Sequence, residues 1–427
     1  MGNIAVLCSD DQINFLIKNS CSTYLEDFKC HFFDNSKDFI QYLNFELPSI
    51  NIIYYEDEKT SPEKAVKAMK DDPWLHFGGT LILFNNRDEK KIVDELEGIN
   101  IISFIPFSRL EFNLPRAFRI IGENRWFLFQ RDIHSLLQSS ISGQFILHND
   151  PFDLITYSNL IANFLYNSSL LDSEGKEGFY LALMELFMNA IEHGNCSISF
   201  KEKSNCLNND GNIFDLINKK NEDPEIGNRT VIFKYRITPK KSSFTIRDEG
   251  DGFDWRSYKS TTGKSGLEEQ HGRGIIMAEY YLKNLSFNDK GNEVKFKVEH
   301  TPLKSNEIPT FFSEKDEVDF NKDEIVFNQG DESNYLFYIV SGTYEIIANG
   351  KMISVLTPAD LFLGEMSFLL NNKRSATVQA IEKGVLLKIT KERFINAMKK
   401  KPYYGILLSR ILAHRLVSLH EKKSKNI

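Results

Sequence analysis

The run FYLALMELFMNAIEHGN, Phe179 to Asn195, constrains the fold more than any other part of the chain. Its pattern predicts a helix that is apolar almost all round, and such a helix has to be enclosed by other elements. The polar exceptions Glu185, Asn189, Glu192 and His193 fall at i, i+4, i+7 and i+8, one stripe of the helix. A carboxylate buried in that company costs roughly several kcal/mol unless something compensates its charge. A divalent metal with its phosphates is one such compensation.

Two later segments extend the pattern. In FTIRDEGDGFDW, Phe244 to Trp255, a strand ends in an aspartate, followed by glycines that let the backbone approach a planar ligand. In HGRGIIMAEYY, from His271, two glycines stand at the start of a helix, where backbone N–H groups can hold phosphates. In this order and spacing the three segments resemble the Bergerat-type ATP-binding fold of histidine kinases, gyrase-like ATPases and anti-sigma-factor serine kinases, from about Gly143 to Val298. The resemblance implies ATP and Mg²⁺ as ligands. Asn189 would coordinate the Mg²⁺, and Asp248 would accept the adenine amino group. Gly250 and Gly252 would shape the adenine pocket, while Gly272 and Gly274 would close a lid, Trp255 to Gln270, over the phosphates.

Within that fold, the compact RDEGDGFD and the run GNEVKFKV at Gly291 resemble the anti-sigma-factor serine kinases most closely. This implies Glu185 as the general base that activates a serine hydroxyl on a partner protein. A histidine kinase would need a phosphoacceptor on a helical hairpin well upstream, and His134 in RDIHSLLQ lies too near the ATP site. Asn292 stands where many Bergerat ATPases have threonine, which implies weaker phosphate contacts there. An acidic, asparagine-rich insert from Lys201 to Asn228 reads as a helical excursion between strands, with no function assigned.

Near the other end stands GEMSFLLNNKRSATVQA, Gly364 to Ala380. A glycine and a carboxylate open a short helix, and an arginine follows. Backbone N–H groups and a guanidinium suit a phosphodiester, and a carboxylate suits a ribose hydroxyl. Upstream, residues 325–347 alternate apolar and polar around Gly330 and Ser341-Gly342, as strands joined by tight turns do. Downstream, Lys391 to Leu419 carries a helical pattern interrupted near Pro402. The whole, from about Phe311, resembles a cyclic-nucleotide-binding domain. The resemblance implies Glu365 on the ribose and Arg374 on the phosphate, with Gly364 and Ser367 adding backbone or hydroxyl contacts. Ser375 follows the arginine, where relatives use alanine with cAMP and threonine with cGMP, so either base is open. Lys373 is expected to point away if the two cations alternate on a strand.

The first 120 or so residues alternate short apolar strands with amphipathic segments, the βαβ rhythm of a small parallel sheet. They resemble a response-regulator receiver whose chemistry is degenerate. Asp10 and Asp11 match the acidic pair that binds Mg²⁺, or are a solvated loop. Glu56 falls where a phosphorylated aspartate should be, Asn85 replaces a hydroxyl residue, and Ile105 replaces a lysine. Trp126, Phe127 and Phe129 read as a linker helix and a dimer seam.

At 427 residues, 41% hydrophobic and 26% charged, the chain is long enough for several cored domains. A net charge of −7 argues against a nucleic-acid or anionic-membrane partner. No apolar run is long enough for a membrane span, Asp10 and Asp11 interrupt any signal peptide, and the start lacks a myristoylation pattern. Cys8, Cys21, Cys30, Cys196 and Cys206 show neither zinc nor disulfide spacing. The expected architecture is multidomain α/β and α+β: a flavodoxin-like pseudo-receiver over 1–115, a linker helix over 116–142, a Bergerat-type α/β sandwich over 143–300, and a β-roll with lid helices over 301–427. The expected function is a cytoplasmic regulator, a possible homodimer, that phosphorylates Ser or Thr of an anti-sigma antagonist under cyclic-nucleotide control. The alternatives are a non-catalytic module that sequesters a sigma factor or other partner in an ATP-dependent way, and a histidine-kinase-like protein.

Overall fold

The structure is a computed structural model; it describes residues 2–72, 75, 78–85, 89–128, 141–168, 170–209, 211–238, 240–253, 273–300, 305–306, 316–402, 404–405, 408–409 and 412. The chain divides into two compact units, residues 1–18, 27–100 and 302–427 in one, residues 19–26 and 101–301 in the other.

The N-terminal sheet has the order β2-β1-β3-β4-β5, with β1 (Gly2–Leu7), β2 (Phe28–Phe33), β3 (Ile50–Tyr54), β4 (Gly79–Phe84) and β5 (Ile101–Pro106). β1 pairs parallel with both β2 and β3, and β3 pairs parallel with β4. Parallel strands covered on both faces read as continuous apolar runs, and every residue of β4 is buried. Helices α1 (Asp11–Tyr24), α2 (Ser36–Glu46), α3 (Pro62–Lys70) and α4 (Glu89–Glu95) supply the crossovers. This is a flavodoxin-like, receiver-like sheet. The strand order reverses between β1 and β3, and in open α/β sheets the crevice beyond the carboxyl ends of the strands at such a point is where ligands bind.

The second sheet is built from β6 (Ile141–His148), β7 (Thr230–Ile237), β8 (Lys241–Arg247), β9 (Lys283–Phe287) and β10 (Glu293–Glu299), in the antiparallel order β6-β7-β8-β10-β9. Its strands alternate, and one face carries Phe233, Phe244 and Phe296 stacked across β7, β8 and β10 at 5.5 and 5.3 Å. Helices α5 (Leu110–Glu123), α6 (Pro151–Asn167) and α7 (Ser173–Asn189) follow in the same unit. Phe187 and Phe179 of α7 close on Phe233 and Phe244 at 5.2 and 5.3 Å. The helix Arg273–Tyr281 lies beside α7, and Tyr281 packs so close that a Cβ on Gly178 would sit 2.2 Å from its ring.

Two expectations are corrected here. Phe127 is completely buried, 4.9 Å from Phe164 and 5.2 Å from Phe145, so it belongs to this domain's own core and is not part of a dimer seam. The helix from Phe179 does not run to Asn195 as a regular α-helix. It ends at Asn189 and passes into a wide π-type turn, Ala190–Asn195. Phe129 and His134 lie outside the described residues.

The insert folds as three short helices, α8 (Phe200–Asn208), α9 (Ile213–Asn221) and α10 (Pro224–Gly227), each opened by a polar N-cap. Ser199 and Glu202 form a capping box on α8.

The C-terminal domain is a β-roll of two four-stranded sheets. One has the order β11-β18-β13-β16, with β11 (Glu317–Phe320), β13 (Tyr335–Ser341), β16 (Phe362–Leu363) and β18 (Gly384–Thr390). The other has the order β12-β17-β14-β15, with β12 (Ile325–Phe327), β14 (Tyr344–Ala348), β15 (Lys351–Leu356) and β17 (Thr377–Ala380). Phe327, Phe337, Tyr344, Leu363 and Leu386 fill the space between. The expected turn at Gly342 is present at φ +90°, with the Cα of Gly384 2.6 Å from where a Cβ would sit. Helices Glu365–Leu370 and Lys391–Lys400 complete the domain. Just beyond the second, Lys401 Nζ and the Tyr404 hydroxyl reach the buried carboxylate of Asp72 at 3.4 and 3.3 Å, within the first unit. Among the described residues, no helix is long and apolar enough to cross a membrane.

Candidate functional site

Asp248 is the first residue beyond β8 and is 8% exposed. Its amide donates to the Asn292 carbonyl at 3.1 Å, and the Asn292 side chain returns a hydrogen bond to the Asp248 carbonyl at 3.1 Å. Gly250 N–H donates to its carboxylate at 2.9 Å. Burial pushes the Asp248 carboxyl up from its ordinary 3.8 to about 6, opposed by the Gly250 amide and by Lys290 and Arg229. Asn292 therefore supports the aspartate's backbone, whereas the sequence pattern associated it with phosphate.

Glycines close the site. A Cβ on Gly250 would sit 2.3 Å from the Gly194 carbonyl oxygen, and one on Gly194 would sit 2.5 Å from the Asp248 carboxylate. Gly252, at φ +82°, brings its backbone against Lys290. Gly194 was not marked by the sequence, because it reaches Asp248 only through the π-type turn that ends the α7 segment. The same turn redirects Glu192. It is 2% exposed and pairs with Lys203 Nζ of the insert at 2.5 Å, so a lysine compensates its charge where a metal was considered.

Asn189 is the last residue of α7, with Glu185 one turn before it on the same face; both are half-buried. Gly274 lies in the first turn of the Arg273–Tyr281 helix. Gly272 and the segment Trp255 to Gln270 lie outside the described residues.

A second site is built around Arg374, which is 2% exposed. Its Nη1 donates to the Gly364 carbonyl at 2.8 Å and to Ser367 Oγ at 3.1 Å, and its Nη2 donates to the Tyr335 carbonyl at 2.6 Å. The guanidinium lies 4.2 Å from the Phe327 ring centroid and 4.7 Å from that of Tyr335. Its Nε is buried and, among the described residues, has no hydrogen-bond partner. Gly364, at φ +78°, lets the chain turn into the helix beneath the arginine, where a Cβ would fall 2.5 Å from Nη1. Glu365 is 3% exposed and Ser367 is 5% exposed, the latter also reached by the Ser333 hydroxyl at 3.1 Å. Lys373 and Ser375 are exposed on either side of the buried Arg374, but the three residues lie in the loop before β17 and not on a strand as expected. Phe327, Ser333 and Tyr335 carried no signal in the sequence; Tyr335 arrives from 39 residues upstream.

The N-terminal crevice is organised differently from the expectation. The buried carboxylate there is Asp57, not Glu56; it accepts from the Ser9 amide at 2.6 Å and the Ser9 hydroxyl at 2.9 Å. Asp10 caps α1 through the amides of Gln12 and Ile13, at 2.8 and 3.1 Å. Ile105 is a fully buried strand residue, and Asn85 is exposed.

Comparison with known proteins assigns two of these regions. The histidine kinase-like ATPase domain family matches residues 149–298, and the cyclic nucleotide-binding domain family matches residues 317–401. A cGMP-dependent protein kinase of Plasmodium berghei is 27% identical over 144 residues, 34% of this chain and 16% of that protein. The Pycsar effector protein XpPycTIR of Xanthomonas perforans is 33% identical over 90 residues, 21% of this chain and 29% of that protein. The chain thus spans less than a third of either relative. Among solved structures, the catabolite activator protein of Thermus thermophilus aligns at 24% identity and a TM-score of 0.25, covering 27% of this chain and 55% of that one. The protein is a Bergerat-fold ATPase domain fused to a cyclic-nucleotide-binding domain, preceded by a receiver-like parallel sheet.

Proposed function

We propose that the protein is a cytoplasmic regulator that binds Mg-ATP at the Asp248 site and transfers the γ-phosphoryl group to a serine or threonine of a partner protein, under control of a cyclic nucleotide. One observation carries the ATP reading: a nearly buried carboxylate, pushed up to about 6, faces backbone stripped of side chains at Gly194 and Gly250. Such a carboxylate is costly alone and well matched to the exocyclic amino group of adenine, whose N–H would donate to it.

The donor set fits the rest of the ligand. Among the described residues no group of three or more His, Cys, Asp or Glu converges on a metal-sized site. A Mg²⁺ here would be held by the Asn189 carboxamide oxygen together with phosphate oxygens, and would neutralise charge on the transferring group. Glu185 lies one turn from Asn189 on the same face and, in this reading, would take the proton of the incoming hydroxyl. In the C-terminal domain, the Nε of Arg374, without a partner among the described residues, is a buried donor suited to the cyclic phosphate of cAMP or cGMP, and buried Glu365 is suited to the ribose hydroxyl.

The partner is a small protein of the anti-sigma antagonist type, to be identified by mass spectrometry of what co-purifies with the full chain. With ATP labelled at the γ position, wild type should label that partner. Glu185→Ala should bind ATP nearly as well and transfer about 10² to 10⁴ times more slowly. A wild-type protein that binds ATP and the partner but transfers nothing would replace this reading with ATP-dependent sequestration.

A further inference from the structure

The insert Lys201 to Asn228 has no place in the reaction just described, yet a chain of buried amides leads from it to the Asp248 loop. Asn149, 2% exposed, lies between β6 and α6, and Asn195, fully buried, ends the π-type turn. From the insert, Asn221 Nδ2 donates to the Asn149 carbonyl at 2.7 Å. In return, Asn149 Nδ2 donates to the Ile226 carbonyl at 2.9 Å. Asn195 Nδ2 donates to Asn149 Oδ1 at 2.7 Å, and Asn195 Oδ1 accepts the Glu249 amide at 2.8 Å. Arg229 Nη1, just past the insert, donates to the Asn195 carbonyl at 2.7 Å. Glu249 is the residue after Asp248, and its carboxylate is itself engaged by the Thr230 amide at 2.7 Å.

We infer that Asn149 and Asn195 are positioning residues for the adenine-reading loop, and that the insert is the clamp that holds Asn149 in place. The chemistry requires amides at both positions. Each side chain donates with its nitrogen and accepts with its oxygen, so the two orientations are mutually fixed, and neither a carboxylate nor an alkyl group reproduces the pattern. In a buried setting each missing partner leaves a desolvated polar group, so the relay holds as a unit. Asp248 has one amide and one carbonyl tied to Asn292 on its other side. Glu249 N–H is the point at which the insert's side of the domain grips the same loop.

This inference rests on the ATP reading of the Asp248 site, and two measurements on the full chain separate the two. The variants are Asn195→Ala, Asn149→Leu and, at the half-buried outer end, Asn221→Ala, which keeps the test available if the first two fold poorly. The first measurement is calorimetric affinity for Mg-ATP against Mg-GTP. A displaced Asp248 loses adenine recognition, so the ATP-to-GTP preference should narrow about fivefold in Asn195→Ala and Asn149→Leu, the loss expected of one buried hydrogen bond. A residue that only stabilises the fold would lower the active fraction and leave that preference unchanged. The second measurement is amide hydrogen exchange at Glu249 without nucleotide, which should accelerate in all three variants, least in Asn221→Ala. Unchanged nucleotide preference together with unchanged Glu249 protection would overturn the relay. If wild type binds neither nucleotide, the ATP reading falls, and exchange at Glu249 alone decides whether the insert holds this loop.

Discussion

Asp248 and Arg374 are both buried ions at the mouths of candidate nucleotide sites, and the protein treats them in opposite ways. The carboxylate has one amide on it and two cations at a distance, and burial raises its pKa to about 6. The guanidinium is wrapped by two carbonyls, a hydroxyl and two aromatic faces. The reason is chemical. A carboxylate escapes an unfavourable burial by taking a proton, so an under-compensated site is tolerable. A guanidinium has no such escape, so its pocket has to be made of acceptors. The Asp248 site should therefore be sensitive to pH near neutrality, and the Arg374 site should not.

The largest expected effect breaks the second half of this comparison. Arg374→Ala should weaken cAMP or cGMP binding about 100-fold or more, measured by calorimetry, since a charge-assisted pair and its preformed pocket are both lost. Lys373→Ala, on an exposed side chain, should leave affinity unchanged; an equal loss in both would mean that Arg374 is only a structural cation.

Asp248→Asn comes next, with two readouts of opposite sign. ATP affinity should drop at least about tenfold, or 1.4 kcal/mol. Stability without nucleotide should rise. The folded protein binds a proton at Asp248 more tightly than the unfolded chain does. Its contribution is therefore present below pH 3.8 and is lost as pH rises through about 6. At pH 7 the buried charge costs roughly 3 kcal/mol, which the asparagine does not incur. Denaturant unfolding that shows no gain at pH 7 would mean the carboxylate is better compensated than its surroundings indicate.

A titration sharpens the contrast. Lowering the pH from 7 to 5 protonates Asp248, so ATP affinity should fall about tenfold through a midpoint near 6. Cyclic-nucleotide affinity should stay nearly level over the same range. Parallel pH dependence at the two sites would remove the distinction.

The smallest expected effect is none at all. Acetyl phosphate with Mg²⁺ should leave the mass of the protein unchanged, because Asp57 is occupied by Ser9 and Asp10 by the amides of α1. A phosphoryl adduct on Asp57 would show that this crevice keeps a receiver's chemistry.

Much of this was legible in the chain. The apolar runs of β3 and β4 and the alternation around β13 and β14 identify strands because side-chain period reports which faces are buried. Asp248, Gly250 and Gly252 stand in one short loop, and Gly364 to Arg374 in one cassette, so a family resemblance carried by neighbouring residues singles them out as candidates. The end of α7 at Asn189 was not legible, since a π-type turn keeps nearly the same polar pattern as the helix it follows. Nor was Phe127, whose apolar character suits a core and a dimer seam equally.

What the sequence by itself determined is therefore the set of local pieces: which segments are strand or helix, and which short loops carry ligand-type residues. Tertiary structure alone decided which distant groups meet those loops. It brought Gly194 and Asn195 to the Asp248 loop, Asn292 behind it, Lys203 to Glu192, and Phe327 and Tyr335 onto Arg374. Those partners lie far away along the chain, and their residue types are unremarkable in their own neighbourhoods. A buried charge selects its company by distance in space, and a linear pattern of apolar and polar residues does not encode that distance.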